Sequence, residues 1–138
     1  MRTAIEVARY IINKCTKDEM PISNLQLQKI LYYLQKMFLQ NDQELFVDDF
    51  VAWQFGPVIE DVYFAYCSFG AMPIRRTYFA DLEIDTRMID PVIEKKRLLN
   101  PWEMVAETHK KDGAWDLTYL NGRGNGAIIS KELIKAKG

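Results

Sequence analysis

The sequence predicts a mainly α protein with one short β element, a compact bundle of about five to six helices around a central helix at residues 23–40. Three observations carry that prediction. Apolar residues recur at helical spacing through most of the chain, and helix-start signatures stand at Thr3, Ser23, Asp90, Asn100 and Ser130. Only residues 50–55 alternate with the two-residue period of a strand.

The central helix is the most strongly patterned. Ser23 with Gln26 three residues on forms a capping box, and Ile22 before it can staple onto Leu27. At about 100° per residue, Leu27, Ile30, Leu31, Leu34, Met37 and Phe38 share one arc. Leu25, Tyr32 and Leu39 form a second, narrower stripe on roughly the opposite side. Gln26, Lys29, Tyr33, Lys36 and Gln40 are left as the wet edge, so the helix is expected to be packed from two sides. Gln28 and Gln35 fall between the stripes. If buried, both amides need partners, because an unpaired buried polar group costs about 1 to 3 kcal/mol, and loop backbone is the expected partner.

The other elements follow in order. Thr3 and Glu6 suggest a capping box for a first helix ending near Thr16, with apolar residues from Ala4 to Cys15 on one broad arc. After a turn at residues 41–44, the strand at residues 50–55 is ended by Gly56-Pro57, with Pro57 suited to the first turn of a third helix that stops at Gly70. Residues 71–89 give too poor a pattern for assignment. Asp90-Pro91 and Asn100-Pro101 open two abutting helices at residues 91–99 and 101–109. A turn and short helix carry Trp115, the glycine-rich run from Asn121 to Gly126 reads as a flexible connector, and Ser130 caps a final helix. Trp53, Trp102 and Trp115 are expected in the core.

With 138 residues and 49% hydrophobic content, one domain spanning residues 1–138 can bury its own core without disulfide staples. Cys15 and Cys67 show no metal or disulfide spacing, and no long apolar run marks a leader or membrane span. A cytoplasmic protein with reduced thiols and no membrane association is the expectation. A formal charge of −1 provides no global positive field for nucleic acid, so nucleic-acid binding is not the primary expectation. The basic runs Lys95–Arg97, Lys110–Lys111 and the tail lysines read as solvated helix faces.

Catalytic signals are thin. His109 is the sole histidine, so a zinc site would need Cys15, Cys67, His109 and a carboxylate with no local ligand pair to nucleate it. A Cys67 nucleophile served by His109 is the enzymatic alternative, against the plainer reading of Cys67 as a buried core residue. The glycine run lacks the preceding strand and following Lys-Ser/Thr of a phosphate loop. No catalytic residue, cofactor or metal is therefore assigned.

Three ordered blocks, residues 25–35 (LQLQKILYYLQ), 50–63 (FVAWQFGPVIEDVY) and 107–115 (ETHKKDGAW), resemble the Panacea-domain family, also described as SocA-like or GepA-like phage-associated proteins. The matching signature positions are Leu27, Gln28, Lys29, Leu31, Tyr32 and Tyr33, then Trp53, Gly56, Pro57 and Tyr63, then Thr108, His109 and Trp115. The chain departs from the pattern at Leu34, Phe55 and Ala114, where the family prefers Ala, Tyr and Pro. The resemblance implies an antitoxin of phages or mobile elements that neutralises a cognate protein toxin by direct binding, with a protease as a further partner for toxin delivery. It implies a non-enzymatic protein and leaves room for a homo-oligomer. Partner-binding candidates are Tyr33, Arg75, Arg76, Tyr78, Phe79 and Arg123, as aromatic and arginine anchors in exposed segments. The alternatives are the Cys67/His109 enzyme and a DNA-binding autoregulator using Lys95, Lys96, Arg97 and the tail lysines.

Overall fold

The computed structural model describes residues 2–79 and 82–138. Its helices are α1 (Ala4–Lys17), α2 (Asn24–Gln40), α3 (Glu60–Tyr66), α4 (Asp90–Lys96), α5 (Pro101–Thr108), α6 (Ala114–Tyr119) and α7 (Lys131–Lys137). Three short strands, β1 (Phe50–Trp53), β2 (Gly56–Val58) and β3 (Ile128–Ile129), form one antiparallel sheet in the order β2-β1-β3. The fold is mainly α with a minor β element, as the periodicity predicts.

Helix α2 is the hub. Ser23 Oγ accepts from the Gln26 amide at 3.2 Å while Gln26 Oε1 accepts from the Ser23 amide at 2.9 Å, the reciprocal box that fixes its first turn. Helices α1, α3, α4, α5 and α7 and strand β2 all pack on it. Packing from several sides leaves both glutamines buried, and both are satisfied. Gln35 accepts from the Leu45 amide and donates to the Phe46 carbonyl, each at 2.8 Å, so it holds the loop that leads into β1. Gln28 accepts from the Ile59 amide at 3.0 Å, just where the chain leaves β2 for α3, and donates to Asn24.

Several expectations are corrected. Thr3 does not cap α1 through its side chain. Its hydroxyl donates to Glu6, and Asp48 Oδ1 takes the Ala4 amide instead, at 2.7 Å. Gly56-Pro57 does not turn strand into helix: Trp53 pairs with Gly56 across the two-residue turn Gln54-Phe55, and Pro57 lies inside β2 opposite Ala52. An edge strand tolerates a residue with no N–H to give. The run from Asn121 to Gly126 is not a free connector, because the Gly126 amide donates to Ala52 O and Ala52 N to Ala127 O, feeding the chain into β3. A side chain at Gly124 would collide with the Thr118 carbonyl. Residues 71–79 run mostly without regular structure, bridged once at Ile22–Ile74, while Ala80 and Asp81 lie outside the described residues.

Candidate functional site: the hairpin and the helices beneath it

Most of the signature residues converge on the β1–β2 hairpin, and the centre of that convergence is a lysine. Lys29 projects from α2 into the protein with no solvent exposure, contrary to the wet edge its helical position suggests. Its Nζ donates to the Phe55 carbonyl at 2.5 Å, and no carboxylate pairs with it among the described residues. The periodicity misplaced it because β2 and α5 cover that arc of α2, which no property of the helix itself reveals. Loss of hydration disfavours the ammonium so strongly that its pKa falls from the usual lysine value to about 7.

Gly56 explains how the amine fits. A Cβ there would overlap Lys29 Nζ, and the backbone sits at φ +120°, a region that favours glycine. Thr108 closes the other side, its hydroxyl donating within α5 to Met104 and Val105 carbonyls at 3.3 and 3.1 Å. Immediately after it, the His109 ring stacks on Trp115 with centroids 3.6 Å apart, and Tyr119 stacks on the indole's further side at 4.7 Å. Burial, and then the neighbouring Lys29 charge, hold the imidazole below its ordinary pKa. Its Nε2 is buried without a hydrogen-bond partner. Trp115 Nε1 donates to the Trp53 carbonyl at 2.7 Å, so both arms of the hairpin turn are tied down from below through main-chain oxygens.

Above this layer the hairpin displays aromatic rings. Phe55 in the turn is 48% exposed and meets the 66% exposed Trp102 edge to face at 6.0 Å. Trp53 packs on Tyr63 at 4.9 Å and on Phe64 at 6.1 Å, with Phe64 itself 60% exposed. Trp102 is therefore no core residue. Position N2 of α5 sends it outward, whereas Trp115 is buried and Trp53 half-buried. Phe55, Phe64 and Trp102 are the surface residues that sequence reasoning missed. The usable signal was the short run from Trp53 to Gly56, since a two-residue turn leaves its second residue, Phe55, no core to enter.

The sequence-derived candidates lie elsewhere, in three separate places. Tyr33 is half-buried, its hydroxyl donating to Glu107 with Lys96 Nζ 4.1 Å over its ring. Arg75 is exposed and Phe79 fully open to solvent, while Arg76 lies over Phe69 at 5.3 Å and Tyr78 shares a 2.8 Å hydroxyl contact with Tyr66. Arg123 is exposed beside the Leu120 carbonyl. The alternative chemistries gain no assembled site among the described residues. Cys67 is exposed rather than buried, because α3 ends at Tyr66 and the thiol bonds only to its own helix's Phe64 carbonyl. Among the described residues no group of three metal-ligating side chains gathers. Arg97 bridges to Asp18 at 2.8 Å, Lys131 to Glu44 at 3.2 Å, and Lys96 and Lys135 pair with Glu107 and Asp42, so much of the basic surface is engaged internally. No helix is long and apolar enough to cross a membrane among the described residues.

The family model described as Antitoxin SocA-like, Panacea domain, matches residues 27–116, a span that begins on α2 and ends just past Trp115. Antitoxin SocA of Caulobacter vibrioides (strain NA1000 / CB15N) is similar along most of the chain, with 30% identity over 148 aligned positions that cover 94% of this chain and 78% of that protein. No solved structure matches.

Proposed function

The chain belongs to the SocA-like antitoxin family built on the Panacea domain, and from that premise we propose that it neutralises a partner toxin by binding it directly through the aromatic face of its hairpin. The observation that carries this reading is the set of open rings Phe55 of the turn, Phe64 of α3 and Trp102 of α5, packed on a hairpin held from beneath by Lys29 and Trp115. Large aromatics are the side chains most enriched at binding hot spots, and a rigid mount lowers the entropy cost of using them. Burying a standard interface of about 800 Å² per partner would take this face and its immediate rim. Arg75 and Phe79, displayed on the segment that crosses α1, form a secondary candidate surface.

Co-expression with the product of the adjacent gene tests the proposal. Growth arrest by that product alone, its relief by this chain and co-purification of the two are the expected outcome. A neighbour that is harmless by itself, or that stays toxic in the presence of this chain, overturns it. Substituting Cys67 by Ala and His109 by Gln separates binding from catalysis once circular dichroism confirms that the variant keeps its fold, because His109 stacks on Trp115: protection survives if the chain acts by binding and is lost if it is an enzyme.

A further inference from the structure

The face that carries Trp53 and Phe64 continues past them. Val51 lies two residues along β1 from Trp53 and so on the same side of the sheet, and Ile128 of β3 stands opposite Val51 in the ladder. Both line a groove of about 400 Å³ between the sheet and the start of α3. Ile128 is 60% exposed, so this part of the floor is uncovered. The rim is acidic on both banks: Asp48 and Asp49 stand where the chain enters β1, and Glu60 and Asp61 where it leaves β2.

These carboxylates are little neutralised. Asp48 accepts the Ala4 amide, and Asp49 has only Lys131, at 3.9 Å, which sits closer to Glu44. Glu60 and Asp61 are exposed and form no ion pair among the described residues. Cations outnumber acids instead around a separate cleft, where Lys36, Lys96 and Lys110 lie about Tyr33 and the single carboxylate Glu107. A chain with a formal charge of only −1 has thus divided its surface into opposed fields, an arrangement that orients a charged partner before contact.

We infer that this groove receives a basic segment of the partner polypeptide, its Lys or Arg heads on the rim carboxylates, its apolar residues on the exposed Ile128. The inference deepens the toxin-binding reading and rests on it for the identity of the partner. Charge complementarity selects the occupant. Four carboxylates repel acidic chains and nucleic acid, an apolar floor suits a polypeptide better than a free cation, and the adjoining rings of Trp53 and Phe64 accept a guanidinium over their faces.

Two measurements on the full chain test it. In the first, Glu60→Lys with Asp61→Lys is compared with Lys36→Glu with Lys110→Glu for association with the adjacent-gene toxin, circular dichroism confirming that each variant folds. The rim reversal is expected to slow association at least about tenfold at low salt and to flatten its salt dependence, while reversal at the distant cleft leaves the rate within about twofold. In the second, a fluorescein-labelled peptide alternating Val and Arg, with a Val and Glu counterpart, is titrated while the amide signals of Val51, Glu60 and Ile128 are followed by NMR. The basic peptide is expected to move those signals and the acidic one to leave them in place. A rim variant as fast as the wild type, or a basic peptide that moves other signals or none, overturns the inference. If the toxin fails to bind the wild-type chain while the basic peptide still selects the groove, the antitoxin reading falls and the assignment of a cationic segment to the groove stands.

Discussion

The underside and the tip of the β1–β2 hairpin are built from opposite materials. Underneath, Lys29, Thr108 and Trp115 donate to main-chain carbonyls and His109 stacks on Trp115, so each has neighbours that fix it. At and around the tip, Phe55 of the turn, Phe64 of α3 and Trp102 of α5 touch one another or Trp53 and are largely exposed. The difference teaches that residues which identify a fold can serve to support a surface rather than to form it. The signature positions make a mount. What is mounted is a set of rings, only one of which, Phe55, falls inside the blocks at a position where the chain departs from the pattern.

Breaking the mount should therefore cost folding, and stripping the tip should cost only binding. The largest loss is expected from Trp115→Ala, which removes the stack on His109 and Tyr119 and the tie to Trp53. A decrease of about 3 to 5 kcal/mol in unfolding free energy, by urea titration, is expected. Gly56→Ala comes next, at about 2 to 4 kcal/mol, because the new methyl both displaces the Lys29 amine and must hold a left-handed backbone.

The buried lysine makes a pH-dependent contribution of the same order. With its folded pKa near 7 and its unfolded value near 10.5, the unfolded chain binds the extra proton between those limits, so stability rises with pH across that window. The slope expected from this group is about 1.4 kcal/mol per pH unit. Tyr10, Tyr32 and Tyr66, all pushed upward chiefly by burial, act in the opposite sense only above the ordinary tyrosine range. Thermal melts from pH 7 to 9 should show the rise in the wild type and a flat profile in Lys29→Met. A wild-type profile as flat as the variant's would mean that the amine is hydrated after all.

The smallest effect on folding, and the sharpest on the comparison, belongs to Phe55→Ala with Trp102→Ala. Stability should change by no more than about 1 kcal/mol, while affinity for the toxin, measured by calorimetry, drops by about 2 kcal/mol or more. Equal affinity in wild type and variant would move the binding surface away from the hairpin.

Much of the scaffold was legible from residues alone. Reciprocal caps mark α2, and Asn100 with Pro101 marks α5, because capping chemistry is local and its hydrogen bonds form within four residues. The buried glutamines were also legible, since amides between apolar stripes need partners, and loop backbone supplies three of their four bonds while Asn24 supplies the other. Lys29 and Trp102 were misplaced because burial of a side chain on a helix is decided by what lies across from it, which tertiary topology sets; Cys67 was misplaced because α3 ends one residue before it. Strand β3 was missed because two isoleucines are too short a run to show a period, and its pairing is with residues far back in the chain.

That last pairing bears on how the protein comes into being. Val51 waits for Ile128, so during synthesis the exposed flank of β1 stays open while roughly 80 further residues are added, about 4 to 16 seconds at ordinary elongation rates. Helix α7, which covers part of α2, arrives later still. For that interval the nascent chain carries a strand with one open edge and an incompletely covered greasy helix together, a period when a chaperone or a partner could reach surfaces that the finished molecule hides.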